Sequence, residues 1–308
     1  MGRLQRASAV LVALAAGALA EPGCKEPTPP PPPPTPEAHP PPAPKHVVER
    51  RAGAAVRTMA GSVHVYVPPE LRVVDGRWDL LIHFHGGPQN QESSVTRANL
   101  AAVVASVNLG VGSDPYGGAF RAKGSWEKLL AEVEQAVATS GRAPNGRLGR
   151  VALSAWSAGF ASVKGVIDDE ERRRAIDAVV VADGLFTSWA DREKKTPNMK
   201  PLDSLLAYAQ AALRGEKLLG LTHARVPTFT YPTVEETTTE LLSILRVTRA
   251  PPSVTVGPQK GMIPTYEVHQ SSFHVWGYEG DKQGDHIAQI RVMGDLLYPL
   301  VEKRWARD

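Results

Sequence analysis

The tightest constraint on this chain lies between residues 150 and 167, where a short strand-like run, Val151-Ala152-Leu153-Ser154, passes into a helical one with no loop between them. The junction reads Ala155-Trp156-Ser157-Ala158-Gly159. A chain that turns from strand to helix in so few residues must bend at the middle one. That residue takes strained dihedrals, and strand and helix come almost into contact. Only small side chains fit two positions to either side, and Ala155 and Gly159 meet the requirement, with Ala155 standing where glycine is commoner. The bend belongs at the carboxyl edge of a sheet, the edge where ligands bind in open α/β sheets. It presents the hydroxyl of Ser157 at a helix N-terminus, with the backbone N–H of Ala158 aimed where an oxyanion would form. Ser157 is therefore the candidate nucleophile. A plain helix N-cap is the competing use of a serine here, but it leaves the two small flanking residues unexplained.

The rest of the chain alternates in the same sense. Strand-like segments are expected at 62–67, 78–84, 100–109, 178–182, 217–222 and 265–278, and helical spacing at 126–139, 158–167, 202–213, 234–245 and 287–301. Such alternation predicts a mainly parallel central sheet with helices on both faces. There is no internal repeat.

The folded domain is expected to span 45–308. Ahead of it, Arg3 and Arg6 precede an apolar run at 7–20, too short to cross a bilayer comfortably, which ends in the small-x-small site Ala18-Leu19-Ala20. This predicts a signal peptide at 1–20 and an exported protein, periplasmic, lipid-anchored or secreted. Residues 21–44 are proline-rich, with an unbroken run from Pro29 to Pro34, and are expected to form an extended spacer. The single cysteine, Cys24, follows the apolar run. Gly23 before it suits a lipidation site and Glu21 and Pro22 do not, so membrane attachment through Cys24 and a free thiol both stay open. An exported domain of this size buries enough apolar surface to dispense with disulfides. The net charge of +3 is too small to argue for nucleic acid as a partner, and the densest basic run, Arg172-Arg173-Arg174, is offset by Asp168, Asp169, Glu170 and Glu171. No protein partner is evident.

A second glycine-bearing turn closes the strand-like run at 78–84: His83-Phe84-His85-Gly86-Gly87. His83-x-His85 is also a metal-ligand spacing, to which Asp183, His223 and His286 would have to be added. The two glycines and the downstream bend favour serine chemistry, with no metal and no cofactor.

Together these residues resemble the α/β-hydrolase superfamily over about 62–301, on His85-Gly86-Gly87, Ala155 to Gly159, Asp183 and His286. The likeness is to uncharacterised bacterial envelope serine hydrolases with an S-A-W-S-A-G nucleophile elbow, here Ser154 to Gly159. They also carry D-G-L after the next strand (Asp183 to Leu185), a T-H strand end (Thr222-His223) and a late D/A-H-I-x-Q (Asp285 to Gln289). The resemblance implies an α/β-hydrolase fold and a serine esterase that cleaves an ester or related acyl bond in a small-molecule substrate. It implies a second oxyanion donor at Gly86 or Gly87. It also implies the order serine, acid, histidine. His286, ahead of the last helix, is then the general base and Asp183 the acid. Asp285 lies too close in sequence to His286 to orient it, and Glu235 and Glu236 suit a helix start. His269 and His274 lie within the late strand and are expected to contribute to packing or to the sheet surface. The segment 185–201 lies where lids are often inserted. It brings Phe186 and Trp189, with Trp156 and Trp276 elsewhere, as walls of an apolar acyl pocket or as core. The loop at 249–264 is expected to border that pocket. The relaxed elbow leaves a third class open, a non-catalytic binding protein on the same fold.

Overall fold

The computed structural model describes residues 54–58 and 62–306, all within one compact unit, Arg50–Asp308. The expected leader, the proline-rich segment and Cys24 lie outside the described residues. The strands are β1 Ala54–Thr58, β2 Val63–Val67, β3 Val73–Val74, β4 Arg77–Phe84, β5 Val103–Val107 and β6 Arg147–Trp156. They continue with β7 Ile176–Ala182, β8 Trp189–Asp191, β9 Thr196–Pro197, β10 Leu218–His223, β11 Pro264–Gln270 and β12 Phe273–Tyr278. The helices are α1 Pro88–Ala98, α2 Asp114–Gly118, α3 Ser125–Thr139, α4 Phe160–Ile167, α5 Glu170–Ala175, α6 Asp203–Leu213, α7 Val234–Leu245, α8 Gln283–Arg291 and α9 Tyr298–Trp305.

Among the described residues, ten strands form one sheet in the order β1-β2-β5-β4-β6-β7-β10-β12-β11, with β3 paired to β4. From β5 to β12 every neighbour is parallel, whereas β2 runs against β1 and β5, and β11 runs against β12. Period-2 alternation divides the core between the two faces. Leu80, Ile82, Phe84, Leu153, Ala155, Val179 and Val181 pack with the buried sides of α3, α4 and α6. Leu81, Ala152, Ala178 and Val180 pack instead with α1 and α9. A mainly parallel sheet with helices on both faces and a sharp strand-to-helix turn after a central strand is the α/β-hydrolase fold.

Several local expectations are corrected. β1 precedes the first strand read from sequence. The late strand at 265–278 is a hairpin, β11–β12, turning at Ser271 with φ 55°. The final helix starts earlier, at Gln283, and a π-helical turn, Met293–Leu297, divides α8 from α9. Helix α1 has no counterpart in the sequence reading because half of its buried face is polar, namely Gln91 and Ser94 beside Val95 and Ala98.

Candidate active site

β6 ends at Trp156, a single helical turn Ser157–Gly159 follows, and α4 begins at Phe160. Ser157 carries φ 51°, a left-handed conformation that non-glycine residues rarely hold. The tight approach that forces it is visible at Gly159, where a Cβ would lie 2.1 Å from the carbonyl oxygen of Phe84 at the end of β4. Ala155 is fully buried, and its methyl belongs to the core on the α4 side.

Around this bend the structure brings Ser157, His286 and Asp183 together. His286 Nε2 lies 2.8 Å from Ser157 Oγ, and His286 Nδ1 lies 2.7 Å from Asp183 Oδ2. A carboxylate only accepts, so Nδ1 carries the proton and Nε2 faces the hydroxyl as acceptor. Asp183 follows β7 directly, is 2% exposed, and its second oxygen accepts the Ala224 N–H at 3.2 Å. Ala224 is held in turn by His223, which is buried at the end of β10 and bonded to the Tyr266 hydroxyl at 2.6 Å. Burial pushes the His223 imidazole below its ordinary pKa, although Asp183 pulls the other way. His286 sits in the first turn of α8 rather than in the loop before it. That turn is fixed by the Lys282 N–H donating to Asp285 Oδ2 at 2.9 Å, so Asp285 caps the helix and does not serve the imidazole.

His83 and His85 do not converge on a common point. His83 is fully buried, and its Nε2–H donates to the His85 carbonyl at 2.7 Å. Its Nδ1 lies 2.8 Å from Ser154 Oγ, with Gln91 and Tyr298 closing the group. Burial drives its pKa down to about 3, so it is neutral and Nδ1 accepts from the serine hydroxyl. The metal-ligand reading of this pair is therefore not what the fold builds. Among the described residues no group of three or more His, Cys, Asp or Glu side chains is arranged to hold a metal ion. The same bond has a consequence for Gly86. With the His85 carbonyl turned into the core toward His83, a trans peptide turns the Gly86 N–H the other way. Among the described residues that N–H takes no hydrogen-bond partner. Gly86 itself has φ 115° and packs so close to Ile290 of α8 that a Cβ would fall 2.5 Å from its Cδ1. Gly87 caps α1 instead. Replacing His83 by leucine strands several buried polar groups, and each such group costs about 1–3 kcal/mol. His83→Leu is expected to lower the urea midpoint clearly, and an unchanged midpoint would show the network to be dispensable.

A cleft of about 630 Å³ opens over Ser157 and His286. Val111, Trp156, Phe186 and Tyr231 supply its apolar walls, and Ser113, Thr187 and Gln283 are among its polar groups. None of its lining residues is Asp, Glu, Lys or Arg. Phe186 meets Tyr231 edge to face at 5.6 Å. Trp189, expected here, is absent from the lining and pairs in β8 with Pro197 of β9. Trp276 and the loop at 249–264 border a different pocket, beside Tyr266 and Tyr278. Tyr231, Val111 and Gln283 escaped the sequence reading because they lie in loops or at a helix start that carry no motif. Another pocket, of about 500 Å³, lies near the start of β10 and the β11–β12 turn. It is lined by Ser271, His274, Lys303 and Arg304, far in the fold from the elbow. His269 and His274 pair across the hairpin at 3.0 Å and pack against Trp276.

No family model matches this chain, and no curated protein matches it. Several solved structures resemble it at low identity. An esterase of the planctomycete Thermogutta terrifontis is 14% identical with a TM-score of 0.43, over 83% of this chain and 94% of that one. The enterobactin esterase FES of Shigella flexneri is 14% identical with a TM-score of 0.45, over 80% of this chain and 56% of that one. An uncharacterised protein from Capnocytophaga ochracea is 12% identical with a TM-score of 0.42, over 77% of this chain. This chain spans 59% of the length of the Capnocytophaga protein, so that protein and the Shigella esterase both extend well beyond the shared part.

Proposed function

We propose that the protein is an exported serine hydrolase that cleaves a carboxylic ester or related acyl bond through a Ser157-His286-Asp183 triad. The observation that carries this reading is the hydrogen-bonded chain from Ser157 Oγ to His286 at 2.8 Å and on to Asp183 at 2.7 Å. It lies at the carboxyl ends of β6 and β7 and is open to a cleft. His286 Nε2 takes the proton of Ser157 as its oxygen attacks the acyl carbonyl. Asp183 holds the tautomer and balances the imidazolium. The N–H groups of Ala158 and of Gly86, the better placed of the two loop glycines, stabilise the oxyanion. His286 then protonates the leaving group, and water, activated by the same imidazole, releases the acyl group from Ser157. The chemistry needs no metal or cofactor. A cleft without charged side chains fits a neutral small-molecule ester. Export, and attachment through Cys24, belong to the same reading and rest on the N-terminal sequence alone.

The deciding test is labelling of the purified, folded protein with a fluorophosphonate, followed by mapping of the adduct. A stoichiometric adduct on Ser157 is expected. A folded protein that gives no adduct, or one elsewhere, would overturn the reading.

A further inference from the structure

The indole of Trp156 packs against two imidazoles. It stacks on His85 with centroids 5.0 Å apart and planes at 10°, and meets the His286 ring, tilted by 31°, at 4.8 Å. Its Nε1–H donates to the backbone carbonyl of His286 at 3.0 Å. These contacts go beyond those of a cleft wall. We propose that Trp156 is a positioning residue for the general base: its N–H tethers the helical turn that carries His286, and its π face receives the positive charge that His286 gains during attack. The inference rests on the triad reading given above.

The local chain makes the tether necessary. His286 lies in the first turn of α8, and that turn is exposed at Gln283 and Gly284 and half-buried at Asp285 and His286. Helix termini fray, and on the outer side the first turn of α8 is capped by the Lys282–Asp285 hydrogen bond. An imidazole that must meet a hydroxyl on one side and a carboxylate on the other tolerates little drift. Trp156 adjoins the nucleophile in sequence, so its hydrogen bond ties the base directly to the elbow rather than through the rest of α8.

The electrostatics fit the second half. A cation within about 6 Å of an indole centroid is attracted by the ring quadrupole, and the His286 ring at 4.8 Å is inside that range. The charged or titratable groups around His286 are Asp183 after β7, His85 across the indole, His223 behind Asp183, and Lys282 and Asp285 on its own turn. His85 also meets the Tyr116 hydroxyl at 3.0 Å. Burial first, and then the nearness of His286, push the pKa of His85 down.

Two variants of the full chain separate the roles, each assayed as kcat and KM against pH on a p-nitrophenyl ester. Trp156→Phe keeps an aromatic face and loses the N–H; Trp156→Leu loses both. Loss of one hydrogen bond predicts a fall in kcat of about five-fold for the phenylalanine variant. Further loss of the π face predicts about ten-fold or more for the leucine variant, with KM little changed. In the leucine variant the acid limb of kcat/KM moves to lower pH, because the charged base has lost a favourable neighbour; phenylalanine restores it. A leucine variant with raised KM and unchanged kcat would make Trp156 only a wall and overturn the proposal. So would a phenylalanine variant no better than leucine in both kcat and pH profile. If the leucine variant does not fold, the phenylalanine variant decides alone: unchanged kcat overturns the tether. Absence of a Ser157 adduct in the unmutated protein would instead overturn the triad itself, so the two failures are distinguishable.

Discussion

Replacing Ser157 by alanine is expected to abolish fluorophosphonate labelling and to lower kcat on a p-nitrophenyl ester by about 10⁶-fold, to the background left by the oxyanion donors. The hydroxyl lies 2.8 Å from an imidazole nitrogen that must be an acceptor, because the other nitrogen donates to a carboxylate. No other hydroxyl among the described residues makes a hydrogen bond to His286, and Ser154, the nearest serine in sequence, is buried with His83 and Tyr298. Alanine keeps the small size the elbow needs, so stability should change little. Because Ser157 sits at φ 51°, a non-glycine residue remains strained there, and alanine inherits that cost without adding to it. Asp183→Asn tests the other end of the chain. Asparagine offers an N–H where His286 needs an acceptor, which favours the wrong tautomer, and a fall in kcat of about 10⁴-fold is expected. Retention of more than a tenth of activity in Ser157→Ala would mean that a different group is acylated. Full labelling in Asp183→Asn at the unmutated rate would mean that Asp183 only closes a turn.

Parts of this site could be read from the sequence because their physical demands are local. The elbow confines its requirement to five residues, and Ala155, Ser157 and Gly159 satisfy it without reference to anything distant. Asp183 and His286 were picked out by chain order and resemblance rather than by local chemistry: His286 is 129 positions from Ser157, and the hydrogen bond between them is a product of the fold. What was not legible depends on tertiary packing. Trp189 and Phe186 lie three positions apart on the same segment, yet only Phe186 reaches the cleft, because the β8–β9 pairing takes Trp189 elsewhere. Helix α1 was hidden because Gln91 and Ser94 make up half of its buried face, Gln91 joining the His83 group while Val95 and Ala98 enter the apolar core, so its period is broken in hydrophobicity. The same network explains His83, whose spacing from His85 reads as a ligand pair but whose nitrogens are spent on Ser154 and the His85 carbonyl. The central strands, by contrast, are apolar on both faces. Their type and mainly parallel pairing followed from the sequence, as is usual for strands covered on both sides.

Gly159→Ala should be the most damaging single methyl in the domain. At φ −61° and ψ −22° the backbone of Gly159 is ordinary right-handed helix, where alanine is preferred to glycine by about 1 kcal/mol. Conformation alone therefore predicts stabilisation. Contact predicts the reverse. The added Cβ would lie 2.1 Å from the Phe84 oxygen, 2.6 Å from the Phe84 carbonyl carbon and 3.0 Å from the His85 Cβ. Two of these three atoms are backbone at the end of a central strand, and no side-chain rotation relieves them. Either α4 backs away from the sheet or the end of β4 bends. Overpacking of a core costs about 1–3 kcal/mol and occasionally more, and a backbone-to-backbone clash belongs at the upper end. At about 2–4 °C per kcal/mol for a domain of this size, the melting temperature should fall by about 6–12 °C. Activity in the fraction that stays folded should fall as well, since the displaced segments are those bearing Ser157 and the His85–Gly86 peptide. Gly165→Ala, on the same helix with nothing within 4 Å of its added Cβ, is the control. It should melt at or slightly above the unmutated protein. If Gly159→Ala melts with that control, the close approach of α4 to β4 is wrong, and with it the reason for the strained serine.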